Sequence, residues 1–323
     1  MIDFSPSNIR MWSRLGSCGA FGAAMCSLAE NNDNLAVVTA DLCFYSGLDR
    51  FHQSYPDKLY NVGIAEQNMV GIAAGMASEG FNVFATTYAT FAAARTLDQI
   101  RVNMGYMQMS VKLVGLTAGL SVGILGATHT GNEDVAAIRS IPNITVLSPA
   151  DTTETVKAVL AAAGLDKPVY LRLSGVMGSP VVYKEDYEFT VGKAIKLRKG
   201  SDIAVIATGT MVHEALAAAD ILEEKGISAS VMDMHTIKPI DKEAIMQCMD
   251  SKLIVTMEEH STIGGLGSAV AETIADIPSK PPQLMIGLSD NYVHAGEYKA
   301  LINEYGLTPE AVTEKILSKY LLL

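Results

Sequence analysis

Residues Tyr60 to Met76 read YNVGIAEQNMVGIAAGM and set one acid, Glu66, in a run of small and apolar residues. The segment predicts a helix starting near Gly63, in which Gly71, Ala74 and Gly75 let another backbone come close. An acid in the first turn of a helix gains about 0.3–1 kcal/mol from the helix dipole. That gain is available at any exposed helix start, so it does not explain why an acid sits among residues destined for the interior.

Working outward, short β-rich runs alternate with Ala-rich helical ones. LAVVTA (35–40) precedes a helix over Ile64–Ser78, NVFATT (82–87) a helix over Ala89–Met104, and ITVLS (144–148) a helix over Asp151–Gly164, while VKLVG (111–115) and PVYLRL (168–173) add strands. This alternation predicts a buried, mostly parallel sheet covered by helices. A second series follows a polar stretch, VVYKEDYEFTVGKAIKLRKGSD (181–202), read as a linker that wraps between domains. It comprises IAVIAT, a helix over Met211–Lys225, ISASVMDM, a helix over Asp241–Asp250, KLIVTM, a helix over Leu266–Ala275, PQLMIGL and a terminal helix from near Thr308. The expected fold class is therefore α/β, as two open α/β domains, 1–190 and 191–323, the second with room for an antiparallel edge. Pro149 before Asp151, and Asp241 after KPI, read as helix starts with an acid at the positive end of the dipole.

With 323 residues, 49% of them hydrophobic, the chain can bury a substantial core. Its net charge is −11 and its 24 Lys and Arg are scattered, which removes the electrostatic footprint nucleic-acid binding needs. The four cysteines, Cys18, Cys26, Cys43 and Cys248, show no CxxC or paired spacing. Neither a zinc site nor a disulfide framework is expected, and a reducing cytoplasm is the expected compartment. MIDFSPSNIRMWSRLGS has no apolar signal core, and no uncharged apolar stretch is long enough to span a bilayer, so export and membrane insertion are not expected.

Three further features carry chemistry. TTYATFAAARTLDQIR spaces Tyr88, Phe91 and Arg95 for one helical face, two rings and a cation that could frame a flat heterocycle in a chain only 7% aromatic. GLSVGILGATHTGNED is a Gly-rich loop that carries His129 among hydroxyls at a sheet's carboxyl edge, where ligands of α/β proteins bind. Glu258, Glu259 and His260 have metal-ligand chemistry, but neighbours on a strand alternate faces, which favours a structural or inter-domain role. GGLGSA, which follows them, opens a helix and could cradle an anion, although it lacks the spacing of a dinucleotide fingerprint. His235 and His294 read as turn or interface residues, and the sixteen methionines as adaptable core filler.

NVGIAEQNMVGIAAGMASEG, ATHTGNEDVAAIRSIPNITVLSPADTTET, MDMHTIKPID and EEHSTIGGLGSAVAE, in this order over nearly the whole chain, resemble the thiamine-diphosphate enzymes of the transketolase family. The match is to their pyrimidine-binding and C-terminal domains. The resemblance implies that Glu66 hydrogen-bonds the N1′ of an aminopyrimidine inside a pocket shielded from water, favouring the imino tautomer that serves as the base at the thiazolium carbon. It implies that Tyr88 and Phe91 form the pyrimidine pocket, with Arg95 on the same face, that Asp41 in TADL lies near the thiazolium, and that His129 contacts substrate hydroxyls and assists proton transfer. Family members hold magnesium (or calcium) and the diphosphate with a GDG motif and a downstream asparagine, and no GDG occurs here. The chain thus resembles the C-terminal half of a split transketolase. Such a half implies a separate N-terminal subunit carrying the diphosphate-binding domain, a two-plus-two heterotetramer, and no metal ligands of its own.

The departures concern substrate. Members that act on sugar phosphates use an arginine in the first helix, a serine in the loop after the first strand, a histidine ahead of the Gly-rich loop and an arginine after the last strand of the domain. Here Cys18, Tyr45, Thr117 and Gly175 stand at those places, and Leu125 replaces an aspartate four residues before the loop histidine. Neutral side chains cannot reproduce the charge-assisted, bidentate hold of an arginine on phosphate. The expected activity is transfer of a two-carbon ketol unit from a ketose to an aldehyde, with a donor other than an ordinary sugar phosphate or with its anionic end held differently. The alternatives are a 2-oxo acid dehydrogenase β subunit, a pyruvate–aldehyde synthase of the deoxyxylulose type, and a non-catalytic scaffolding or regulatory subunit.

Overall fold

The computed structural model describes residues 2–323. In chain order the first part holds α1 (Pro6–Ala29), β1 (Leu35–Thr39), α2 (Asp49–Ser54), β2 (Leu59–Asn61), α3 (Glu66–Ser78), β3 (Asn82–Tyr88), α4 (Leu97–Gln99), β4 (Val111–Ala118), α5 (Asp134–Arg139), β5 (Thr145–Leu147), α6 (Thr152–Ala163) and β6 (Val169–Ser174). The second holds β7 (Ile195–Arg198), β8 (Ile203–Ala207), α7 (Met211–Glu224), β9 (Ala229–Asp233), β10 (Thr236–Lys238), α8 (Lys242–Met246), β11 (Leu253–Ser261), α9 (Leu266–Thr273), β12 (Gln283–Leu288), α10 (Tyr298–Glu304) and α11 (Pro309–Tyr320). Two wide-wound π-type segments, Phe91–Arg95 and Ile100–Tyr106, flank α4 where a single helix was expected. No helix among the described residues is long and apolar enough to cross a membrane.

A seven-stranded sheet runs β10-β5-β6-β4-β3-β1-β2, and a five-stranded sheet runs β12-β11-β8-β9-β7. All pairings are parallel except β10 with β5 and β7 with β9. β1 is buried along its whole length, as continuous apolar strands of a doubly covered sheet must be. Each fully buried Val or Leu there contributes roughly 1.5–3 kcal/mol of apolar transfer. α1 packs on α6 over one face of the larger sheet, around Trp12, Phe21 and Phe84, and α3 covers the other face around Met69 and Met104.

Two features go beyond what the alternation of runs predicts. β10 follows β9 of the smaller sheet yet pairs with β5 of the larger one, Thr236 opposite Leu147. The stretch between the sheets is pinned rather than loose. One oxygen of Asp151 caps α6 through Glu154 N at 2.8 Å, and the other accepts Val182 N at 2.7 Å and Tyr183 N at 2.9 Å. Beyond it, the Tyr183 hydroxyl donates to Asp233 at 2.6 Å and the Tyr187 hydroxyl to Glu154 at 2.9 Å.

Candidate active site

The larger sheet brings the ends of β1, β2, β3 and β4 to one edge, and the candidate residues gather there. The helix carrying Glu66 starts later than expected. Gly63 takes φ 75° and Ala65 is non-helical at φ −144° and ψ 62°, so Glu66, 4% exposed, is the first helical residue. Its partner is Arg95, which ion-pairs with Glu66 Oε1, while Gln67 holds the Arg95 carbonyl at 3.2 Å. The Arg95 guanidinium lies 3.9 Å from the centre of the Phe91 ring, a cation–π contact. The pocket is not wholly shielded from water, because the Arg95 side chain is 45% exposed.

Tyr88, Phe91 and Arg95 converge, but not as one helical face. Tyr88 is the last residue of β3, held extended opposite Leu116 of β4, and helical winding begins only after it. Phe91 and Arg95 then come round on the wide turn that follows. His129 closes the group from its own loop: its ring centre lies 5.2 Å from Phe91 and 5.9 Å from Tyr88, and the two aromatic rings lie 5.8 Å apart. Thr128 Oγ1 pairs with His129 Nδ1 at 2.9 Å, which leaves Nε2 for another partner. Burial pushes the Tyr88 hydroxyl above its ordinary pKa, with Cys18 and Tyr45 close enough to add to the effect. Three rings and a buried carboxylate gathered at one place are groups that can hold a planar nitrogen heterocycle, the rings by stacking and the acid at a ring nitrogen.

Asp41 shares the sheet edge but not this group. It sits at the end of β1 with φ 60°, and Asn61 at the end of β2 holds it reciprocally: Asp41 N donates to Asn61 Oδ1 at 3.0 Å and Asn61 Nδ2 to Asp41 at 3.1 Å. Asn61 therefore fixes a residue singled out from sequence, and only its place one strand over could have marked it. Thr117, one of the five departures, has φ 51°, which a β-branched residue rarely adopts. Such strain at a strand's carboxyl end is a feature of functional edges.

The other residues weighed from sequence have structural roles. Glu258 accepts Leu266 N at 2.7 Å and Gly267 N at 2.8 Å, so the chain's own carboxylate fills the anion cradle of GGLGSA. Burial pushes that carboxyl up to about 7 against the pull of the two N–H groups. His260 is buried, its Nδ1 near Ser261 O at 2.7 Å, and burial pushes it down to about 4. His235 is buried with its ring centre 4.2 Å from Phe189, whereas His294 is exposed and pairs with Glu304 at 2.8 Å. No group of three or more His, Cys, Asp or Glu among the described residues could hold a metal ion.

Comparison with known proteins assigns the chain to a family. Residues 17–175 fit the family model of the transketolase pyrimidine-binding domain, and residues 192–312 that of the transketolase C-terminal domain. The chain belongs to the transketolase family. It is 40% identical over 301 residues to a putative transketolase C-terminal section of Methanocaldococcus jannaschii, covering 93% of this chain and 94% of that protein. It is 38% identical to one of the subunits of the apulose-4-phosphate transketolase of Phocaeicola vulgatus, covering 92% of this chain and 95% of that subunit. A 1-deoxy-D-xylulose-5-phosphate synthase of a Synechococcus strain is 37% identical, over 93% of this chain and 47% of that enzyme. A solved structure described as a split-gene transketolase, inactive β4 tetramer, is 38% identical with a TM-score of 0.85, covering 94% of this chain and 97% of that one. The likeness to separate transketolase subunits makes this chain a subunit-type member of a family that depends on thiamine diphosphate.

Proposed function

We propose that the chain is one subunit of a split transketolase that moves a two-carbon ketol unit from a ketose to an aldehyde. The buried Glu66 carboxylate beside the Tyr88, Phe91 and His129 rings carries this reading, because that donor set fits the aminopyrimidine of thiamine diphosphate. When bound, the cofactor supplies the electron sink for breaking and making the carbon–carbon bond. Glu66 holds the proton at the ring nitrogen, and Arg95 orients that carboxylate while covering a face of Phe91. Tyr88 and Phe91 fix the ring plane. His129, with Nδ1 engaged by Thr128, offers Nε2 to substrate hydroxyls. Asp41, held by Asn61, would stand near the thiazolium of the bound cofactor.

The diphosphate and its magnesium or calcium are assigned to a partner subunit. An exposed apolar rim supports a docking face: Phe44, Ile64, Ile124 and Met177 are 72%, 79%, 65% and 78% exposed, on the loops that follow β1, β2, β4 and β6. These loops surround the site, so a partner seated on them would close it, in a two-plus-two assembly. The Phocaeicola relative is itself named as one subunit of a transketolase, which agrees with a partnered form.

For substrate, Cys18, Tyr45, Thr117, Gly175 and Leu125 at the family's anion- and hydroxyl-reading positions support a donor other than an ordinary pentose or hexose phosphate. Reconstitution with the N-terminal subunit tests the whole reading. Glu66→Gln is expected to cut turnover at least a hundredfold, the lower end for a proton-handling group; unchanged turnover would favour a scaffolding subunit. Comparing phosphorylated with unphosphorylated ketoses tests the donor, and strong selective use of xylulose 5-phosphate would refute that part alone. Ketol transfer without consumption of pyruvate separates the reading from the synthase that the Synechococcus relative represents.

A further inference from the structure

The second domain reaches the loop that carries His129 with a buried carboxylate, Glu259 near the end of β11. Its carboxylate collects donors from three segments. Leu120 N, at the near stem of the His129 loop, donates to Oε1 at 2.6 Å. The Tyr298 hydroxyl at the start of α10 donates to Oε2 at 2.8 Å, and the Thr210 hydroxyl ahead of α7 donates to the same oxygen. A carboxylate accepts all three bonds at once, which no neutral side chain of its shape can do, because an amide must turn a donor toward one of them.

Both stems of the loop are tied at this point. Gly119 N donates to Gly131 O at 2.9 Å, closing the loop on itself. The Arg172 guanidinium in β6 bridges Gly131 O at 3.1 Å and the Glu259 carbonyl at 2.9 Å, and its Nε holds Asp134, the residue that opens α5, at 3.0 and 3.1 Å. Further along, Gly296 N donates to Gly123 O at 3.0 Å, and Ser261 N to Asn132 O at 2.8 Å. Within the loop, His129 N donates to Gly126 O at 3.0 Å, and the Ala295 side chain lies beside Gly126. The backbone on either side of His129 is thus referenced to the second domain, with Glu259 as the second-domain side chain hydrogen-bonded to the near stem among the described residues.

We infer that Glu259 is a positioning residue for His129: it sets where the imidazole stands relative to the Tyr88 and Phe91 rings. This rests on the reading that His129 handles substrate. The physical ground is that reacting groups tolerate little displacement, and a shift of about 1 Å can cost about a hundredfold in rate. Without the carboxylate, Leu120 N–H and two hydroxyls lose their acceptor in a buried place, and the loop stem must move to satisfy them.

The test is a double-mutant cycle in the reconstituted enzyme, comparing Glu259→Ala, His129→Ala and the double variant, with Glu259→Gln as the conservative variant. Glu259→Ala is expected to lower kcat/KM about tenfold to a hundredfold, with thiamine diphosphate affinity within about twofold of wild type. In the His129→Ala background the same substitution is expected to change kcat/KM less than about twofold, because the group it positions is gone. Glu259→Gln should recover part of the loss. A fully additive cycle would overturn the inference, since a merely structural contribution is indifferent to His129.

A readout independent of turnover is the imidazole NMR signal of His129 in isotopically labelled enzyme, identified by its absence in His129→Ala. It should shift or broaden in Glu259→Ala, and an unmoved signal would overturn the inference. If His129→Ala leaves turnover intact while the signal still moves, the substrate role of His129 fails and the positioning stands. If Glu259→Ala does not fold, Tyr298→Phe removes one donor in its place. The same non-additivity is then expected on a smaller scale, and its absence decides against Glu259.

Discussion

The rings of Tyr183 and Tyr187 stack 3.9 Å apart with their planes 14° from parallel, and their hydroxyls reach two carboxyls from different domains, Asp233 of β9 and Glu154 of α6. Burial pushes both carboxyls above the ordinary range, and nearby Asp151 adds to each. The folded protein therefore keeps a proton here that the unfolded chain releases above about pH 4. The Asp233 contribution to stability falls as pH rises from there toward about 7, where Asp233 titrates. Asp233→Asn removes that titration while leaving an acceptor for Tyr183. Relative to wild type, the variant should gain stability steadily between about pH 4 and about pH 7 in denaturant titrations; a difference independent of pH would contradict the retained proton.

Gly119 is fixed by two requirements at once. Its φ is 67°, and a Cβ built on it would lie 2.3 Å from Glu259 Oε1. Gly119→Ala should destabilise the protein by about 1–3 kcal/mol, the range for a strained backbone position. Chemical denaturation of the isolated chain measures this, and a loss below about 0.5 kcal/mol would show that the Glu259 carboxylate relocates freely.

Phe91 contributes a flat face that touches both Arg95 and His129. Phe91→Ala should weaken thiamine diphosphate binding about tenfold in the reconstituted enzyme, as an aromatic contact worth about 1.4 kcal/mol requires. Titration of the cofactor by tryptophan fluorescence or calorimetry reads this directly, and undiminished affinity would place the pyrimidine elsewhere.

Burial against Phe189 pushes His235 down to about 4, from an ordinary value of 6.5. The neutral ring favours folding above pH 6.5, and that contribution is lost as pH falls toward 4, where the unfolded chain binds the proton first. His235→Gln should flatten the acid side of the stability profile across this window. Thermal melts at closely spaced pH values check the slope, and an unchanged slope would leave buried His260 as the source.

Much of the fold is legible in the sequence because β1, β3, β4 and β6 are short runs dominated by apolar and β-branched residues, and such runs in an alternating chain leave few arrangements. Glu66, Tyr88, Phe91, Arg95 and His129 stand out for the same local reason: each breaks the composition around it. β7 and β10 are hidden because they are short strands whose pairing lies in a distant register, Ile195 with Asp233 and Thr236 with Leu147. Tyr88 belongs to a strand rather than a helix because cross-strand bonds to Leu116 outweigh the spacing of its side chain. Glu259 reads from sequence as an inter-domain acid, but its donors Leu120, Thr210 and Tyr298 are scattered along the chain, and only folding shows that they converge.

β10 has a consequence for how the chain can be divided. The strand that seals β5 comes from beyond the midpoint of the chain, so the larger sheet is finished only after about three quarters of the chain has been laid down. A fragment ending near residue 190 would present β5 as an open, apolar ladder, a template for pairing with another molecule. The complementary fragment would carry a short strand with nothing to join. Buried residues of the two halves also pack into common clusters, Leu120 with Val205 and Ala269 with Met69, so a cut of this chain between the halves would open both the sheet and the core.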